Sequence, residues 1–224
     1  MSDQQKATLA YVAPFAVFLL FLGMEHALDL PVQFAYPARC LAAAAALVVF
    51  SRSAVTMRPS APGLSVAIGA LVFLIWIGPD LLFGPGYRHS WLFENSITGK
   101  AATNIQTGLQ HNIAFLAVRA AGSVLLVPIV EELFWRGWLM RWIINPDFRK
   151  VALGTYAPLA FWLVAVLFAS EHGSYWEVGL AAGVVYNWWM IRTKNLADCI
   201  LAHAVTNGLL AAYVILWGQW QYWE

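Results

Sequence analysis

The chain has 224 residues, of which 61% are hydrophobic and only 11% are charged. Soluble domains carry roughly 25% charged residues, so the composition excludes a water-coated globule and points to an integral membrane protein. A formal net charge of +1 leaves no basic footprint for nucleic acid, and none is expected as a partner.

Seven apolar segments follow along the chain, at 7–25, 36–55, 63–84, 112–140, 155–171, 177–192 and 196–218. They predict an all-α, polytopic transmembrane bundle of about seven to eight spans. The whole of 1–224 reads as one integral membrane domain. Residues 1–110 supply N-terminal spans and an outer loop, and 111–218 form a polar-motif core. The first segment reads as a span rather than a cleavable signal, because its apolar run is long and no small-x-small site follows it. The 84–110 connection contains Pro85, Gly86, Gly99 and Gly108 and is too polar to span; a short interfacial helix is expected at 91–97. The 12 Trp and 8 Tyr suit interfacial belts, and many fall near helix ends (Trp135, Trp138, Trp142, Trp188, Trp189, Trp217, Trp220, Tyr222, Trp223). Cys40 and Cys199 lie in apolar segments without ligand-like spacing and read as small buried hydrophobes.

Basic residues set the expected orientation. With seven spans, one side holds Lys6, Arg52, Arg58, Arg141, Arg149, Lys150, Arg192 and Lys194, and the other holds Arg39, Arg88 and Lys100. The positive-inside rule then puts the N-terminus in the cytoplasm and the C-terminus outside.

The fourth segment carries Pro128, Glu131, Glu132 and Arg136 at a depth where each ionisable side chain costs about 2.5–3.5 kcal/mol on insertion scales. Glu132 and Arg136 are four residues apart and share a helical face, so they are expected to pair. Glu131 is rotated by about 100° from Glu132 and can face elsewhere. Read as structure only, the three charges would lock helices together. The fifth segment ends Phe168-Ala-Ser-Glu-His172, with His172 one turn beyond Phe168; Glu171 and Glu177 beside it read as solvated loop charges. The seventh contains His203-Ala-Val-Thr-Asn207, whose imidazole and carboxamide share a face and would otherwise serve as interhelical polar glue. Gly179 and Gly183 in the sixth segment allow close helix packing, and Asn187 is expected to find a local hydrogen bond. Together these groups are a set of parts for amide hydrolysis. A carboxylate with a histidine deprotonates water, and a histidine with an asparagine donates to an oxyanion.

The three motifs, Glu131-Glu132-Leu-Phe-Trp-Arg136, Phe168-Ala-Ser-Glu-His172 and His203-Ala-Val-Thr-Asn207, resemble in order and spacing those of the CPBP (Abi) family of intramembrane proteases, which includes the CAAX endopeptidases. The likeness covers roughly 112–210 and includes the Gly179-Leu-Ala-Ala-Gly183-Val-Val-Tyr186 stretch. The first motif is similar to that of a bacterial, exosortase-associated branch, which implies an inner (cytoplasmic) membrane. The resemblance implies an intramembrane endopeptidase acting on a membrane-associated protein or lipidated peptide. In it, Glu131 and His172 would activate the water, His203 and Asn207 would form the oxyanion hole, and Glu132, Arg136 and Phe168 would position the site. It implies no cofactor by this route; a zinc alternative would use Glu131, His172 and His203. The competing expectation is a non-enzymatic membrane protein, either a small transporter with a proton relay (Arg119 and Asn187 as further members) or a scaffold or immunity protein.

Hydropathy alone separates His172 and His203 in depth by about 15 Å, at 1.5 Å per helical residue. A shared site therefore requires the turn at 173–176 to be sunk and capped by protein.

Overall fold

The computed structural model describes residues 1–84, 86–103 and 105–223, and among these there are helices and turns but no β-strand. Seven helices form the bundle: α1 (Asp3–Ala27), α2 (Val32–Phe50), α3 (Pro62–Phe83), α4 (Ile113–Trp142), α5 (Pro158–Ser170), α6 (Trp176–Thr193) and α7 (Leu196–Trp217). All seven expected segments are helical. Five of them, α1 to α4 and α7, are long and apolar enough to cross a membrane. Their outer faces are apolar, as at Leu41, Val49, Leu74 and Leu82, each more than half exposed. The chain is an integral membrane protein.

Helix boundaries follow local chemistry. Ser2 caps α1 in a reciprocal box with Gln5, and Asn112 and Asn195 cap α4 and α7 by accepting from Phe115 N–H and Ala197 N–H. Prolines open α3 and α5, where a missing N–H costs nothing. Gly218, at φ +66°, ends α7 and turns the chain back onto the bundle.

α1 pairs with α2, α3 with α7, and α5 with α6, while α4 runs between α1, α2 and α7. Small residues allow the close approaches: a Cβ at Gly69 on α3 would collide with the Ala202 carbonyl and Val205 on α7. α4 is not a uniform helix. Gly122–Leu126 and Leu133–Leu139 are wide π turns on either side of the double glutamate. Pro128 brings no N–H to the upstream turn, and Val127 N–H reaches back to Gly122 O.

Several expectations are corrected. Residues 91–97 form turns rather than an interfacial helix. Asn95 Oδ1 accepts from the N–H groups of Ile97 and Thr98, closing a local turn in place of helical bonds. Pro85, counted in the same connection, lies outside the described residues. Arg39 sits within α2, buried and ion-paired to Glu25 at 3.2 Å, so it is not a loop charge. Trp135, Trp189 and Trp223 are core residues rather than belt residues, whereas Trp142, Trp188 and Trp217 are exposed at helix ends. Glu177 is not a free loop charge but pairs with Arg88 at 2.6 Å. Cys199 is fully buried and unbridged, as a small hydrophobe would be.

Candidate active site

The two neighbouring glutamates of α4 diverge. Glu132 is fully buried, and its Oε1 accepts from Arg136 Nη1 at 3.0 Å and from His203 Nδ1 at 3.0 Å. Arg136, also fully buried, lies over the Phe168 ring at 4.6 Å and contacts α6. The expected Glu132–Arg136 pair is present, and His203 joins it, which spacing along the chain did not foretell. Glu131 faces the other way, into a cavity of about 170 Å³. Its Oε2 is buried with no hydrogen-bond partner among the described residues. Buried polar atoms in folded proteins are normally satisfied, so this oxygen is available to whatever occupies the cavity.

His172 lies just past the end of α5, where Glu171 closes the helix. Its Nδ1 bonds to the Phe168 carbonyl at 2.8 Å. A carbonyl only accepts, so Nδ1 carries the proton and Nε2 carries the lone pair. The ring is held by Phe168 and Trp76, with centroids 4.7 and 5.1 Å away. Gly179 on α6 makes room for it, since a Cβ there would stand 3.1 Å from Nδ1. Gly179 thus serves the site as well as helix packing, while Gly183 lies against Ala165 and Phe168 on α5.

α7 contributes His203 and Asn207 on one face. His203 is stacked on Tyr186 at 5.2 Å and 23°. With Nδ1 committed to the carboxylate of Glu132, Nε2 is the ring nitrogen left for the cavity. Asn207 Nδ2 donates one hydrogen to the Ser123 carbonyl at 2.8 Å, in the first wide turn of α4, which leaves its second N–H. Thr206 anchors this face by donating to the Gly69 carbonyl at 2.8 Å, and Tyr186 donates to Thr206 Oγ1 at 2.7 Å.

Glu131, His172, His203 and Asn207 all line the one 170 Å³ cavity, together with Trp76, Tyr186, Tyr222 and Trp223. The turn after α5 is covered by protein, as a shared site requires. Gly173–Tyr175 is a single tight turn whose Ser174 and Tyr175 are buried. The 84–110 connection covers it: Arg88 donates to Ser174 O at 2.9 Å, and Trp176 Nε1 donates to Leu92 O at 3.1 Å. Trp76, Tyr222 and Trp223 escaped sequence reasoning, since nothing in the spacing of α3 or the tail couples them to the motifs. Tyr186 closes the Gly179–Tyr186 stretch, which entered only as part of the family resemblance, with no role for its side chain.

Among the described residues no three His, Cys, Asp or Glu side chains are grouped as a metal ion requires. The hydrogen bonds of the two histidines engage Nδ1 only, to Glu132 in His203 and to the Phe168 carbonyl in His172, and do not by themselves bar a ligand at Nε2. Glu131, His172 and His203 are nonetheless not gathered as a zinc centre among the described residues.

An all-helical membrane protein with carboxylate, imidazole and carboxamide groups around one cavity is the class that the fold and site define. The model of the Type II CAAX prenyl endopeptidase Rce1-like family matches residues 113–209, from the start of α4 into α7, in agreement with the motif resemblance to CPBP (Abi) proteases. No curated protein and no solved structure matches the chain.

Proposed function

We propose that the protein is an intramembrane endopeptidase that hydrolyses a peptide bond of a membrane-associated protein or lipidated peptide. The observation that carries this reading is the convergence of Glu131, His172, His203 and Asn207, from three separate parts of the chain, on one cavity. Glu131 and the Nε2 lone pair of His172 take a proton from water, and the hydroxide attacks the carbonyl carbon. Asn207 donates its second N–H to the developing oxyanion. His203 donates from Nε2 as the imidazolium, with the Glu132 carboxylate as its neighbouring counter-charge. Collapse of the tetrahedral intermediate breaks the C–N bond, and the proton taken from water passes to the leaving amine. The scheme uses no metal.

Basic residues support a cytoplasmic N-terminus. With Arg39 assigned to α2, Arg88 and Lys100 are the remaining ones on the opposite side, and Arg88 is itself buried. The similarity to a bacterial branch supports an inner-membrane location.

The test compares C-terminal fragments in membranes expressing the wild type or Glu131→Ala. A fragment that vanishes in the variant, and persists when a chelator is added to the wild type, is the expected result. Identical fragment sets with both proteins inserted would remove the protease reading; loss on chelation would remove the metal-free scheme.

A further inference from the structure

Asn187 on α6 stands outside all three motifs and outside the cavity wall, yet it is fully buried. Both ends of its carboxamide are used. Nδ2 donates to the Phe161 carbonyl on α5 at 2.8 Å, and Oδ1 accepts from Arg136 Nε at 2.9 Å. Because that carbonyl can only accept, the amide has one orientation, with its oxygen toward the arginine.

The guanidinium is planar, so holding Nε fixes the direction of Nη1. Nη1 donates to Glu132 Oε1 at 3.0 Å, and the same oxygen accepts from His203 Nδ1 at 3.0 Å. A continuous buried chain therefore runs from the α5 backbone through Asn187, Arg136 and Glu132 to His203. The remaining neighbours of Arg136 constrain it weakly. The Phe168 and Tyr186 rings lie 4.6 and 5.5 Å from its central carbon and allow rotation in the ring plane, and the Gly183 carbonyl is 3.4 Å from Nη2.

We propose that Asn187 is a positioning residue for His203, acting through Arg136 and Glu132. It sets where the free Nε2 of the imidazole points. This deepens the hydrolase reading, but its physical content can be read without any substrate.

The experiment uses the full chain in lipid, with ¹⁵N-labelled histidine. The downfield Nδ1–H resonance of a carboxylate-bonded imidazole is assigned to His203 by its loss in His203→Gln. In Asn187→Leu, which keeps the volume and removes the acceptor, that resonance is expected to broaden or disappear. If cleavage is observed, kcat should fall at least tenfold with KM unchanged and with an altered pH profile. Asn187→Asp keeps an acceptor for Nε, loses the donor to Phe161 and adds a second carboxylate beside Arg136, so Arg136 stays held and the resonance should persist. An unchanged resonance in Asn187→Leu overturns the proposal, as does its loss in a folded Asn187→Asp. Failure of both variants to fold also overturns it, since Asn187 would then be a folding residue. A protein that cleaves nothing, yet shows the expected spectra, would refute the protease reading and leave this one standing.

Discussion

Glu131 and Glu132 are chemically identical and adjacent, and their surroundings give them opposite work. Glu132 neutralises Arg136 in a fully buried pair and holds His203, both through Oε1, whereas Glu131 enters no ion pair among the described residues. Removing one member of a buried ion pair costs about 3–5 kcal/mol, because the other charge is left uncompensated. Glu132→Gln is therefore expected to lower the denaturation midpoint sharply in detergent or bicelles. Glu131→Gln breaks no such pair; its midpoint should stay at or above that of the wild type while cleavage is lost. A Glu131→Gln protein as unstable as Glu132→Gln would show that the two carboxylates share one structural role. The π turns on either side of this pair matter here too. They change the angular step between residues on α4, so the face of each glutamate depends on the local winding as well as on sequence spacing.

At the scale of helices, α3 carries none of the three motifs but is needed to place the third. Gly69 brings its backbone against α7, and the Gly69 carbonyl takes the Thr206 hydroxyl at 2.8 Å, on the same face as His203 and Asn207. Gly69→Val would have to push α3 away, breaking that bond and overpacking a tight contact, at about 1–3 kcal/mol. Its expected signature is a lowered denaturation midpoint with reduced cleavage, while Gly78→Val, with open space around its Cβ position, should match the wild type. Equal effects at both glycines would contradict the close-packing account. Small-residue contacts between helix backbones are the usual solution in membranes, where lipid gives no hydrophobic drive to association.

For the molecule as a whole, access to the cavity is set by segments remote in sequence. After α7 the chain reverses at Gly218 and returns, so that Tyr222 and Trp223 form part of the cavity wall. Tyr222 is held by a 2.7 Å hydrogen bond to Asp80, and the Trp223 carbonyl by one of 2.8 Å from Thr103. On the same side Arg88 ties the 84–110 connection to the 173–175 turn. The tail lines the cavity, and the connection covers the neighbouring turn. Trp223→Ala should widen the opening. The expected readout is faster reaction of a cysteine introduced at Leu210, which lines the cavity, with a water-soluble thiol reagent, measured against the same cysteine with Trp223 intact. Unaltered labelling would mean that the tail does not control entry.

The linear order of residues was sufficient for the membrane class, the seven helices to within a few residues of each end, the i, i+4 ion pair, and the motifs that later met at one cavity. These are local properties: apolar run length, helical period and capping depend on neighbours within a turn or two of chain. The 91–97 turns were misread because an asparagine side chain competing for backbone N–H groups looks, in composition, like an interfacial helix. What only the tertiary structure decided was which groups meet across helices: His203 on Glu132, Asn187 on Arg136, Asn207 on the Ser123 carbonyl, and Tyr222 and Trp223 in the wall of the cavity. Those contacts span 51 to 84 residues of sequence where hydrogen bonds make them. Nothing in the spacing of a chain specifies them, because they arise from the packing of rigid helices around buried polar groups.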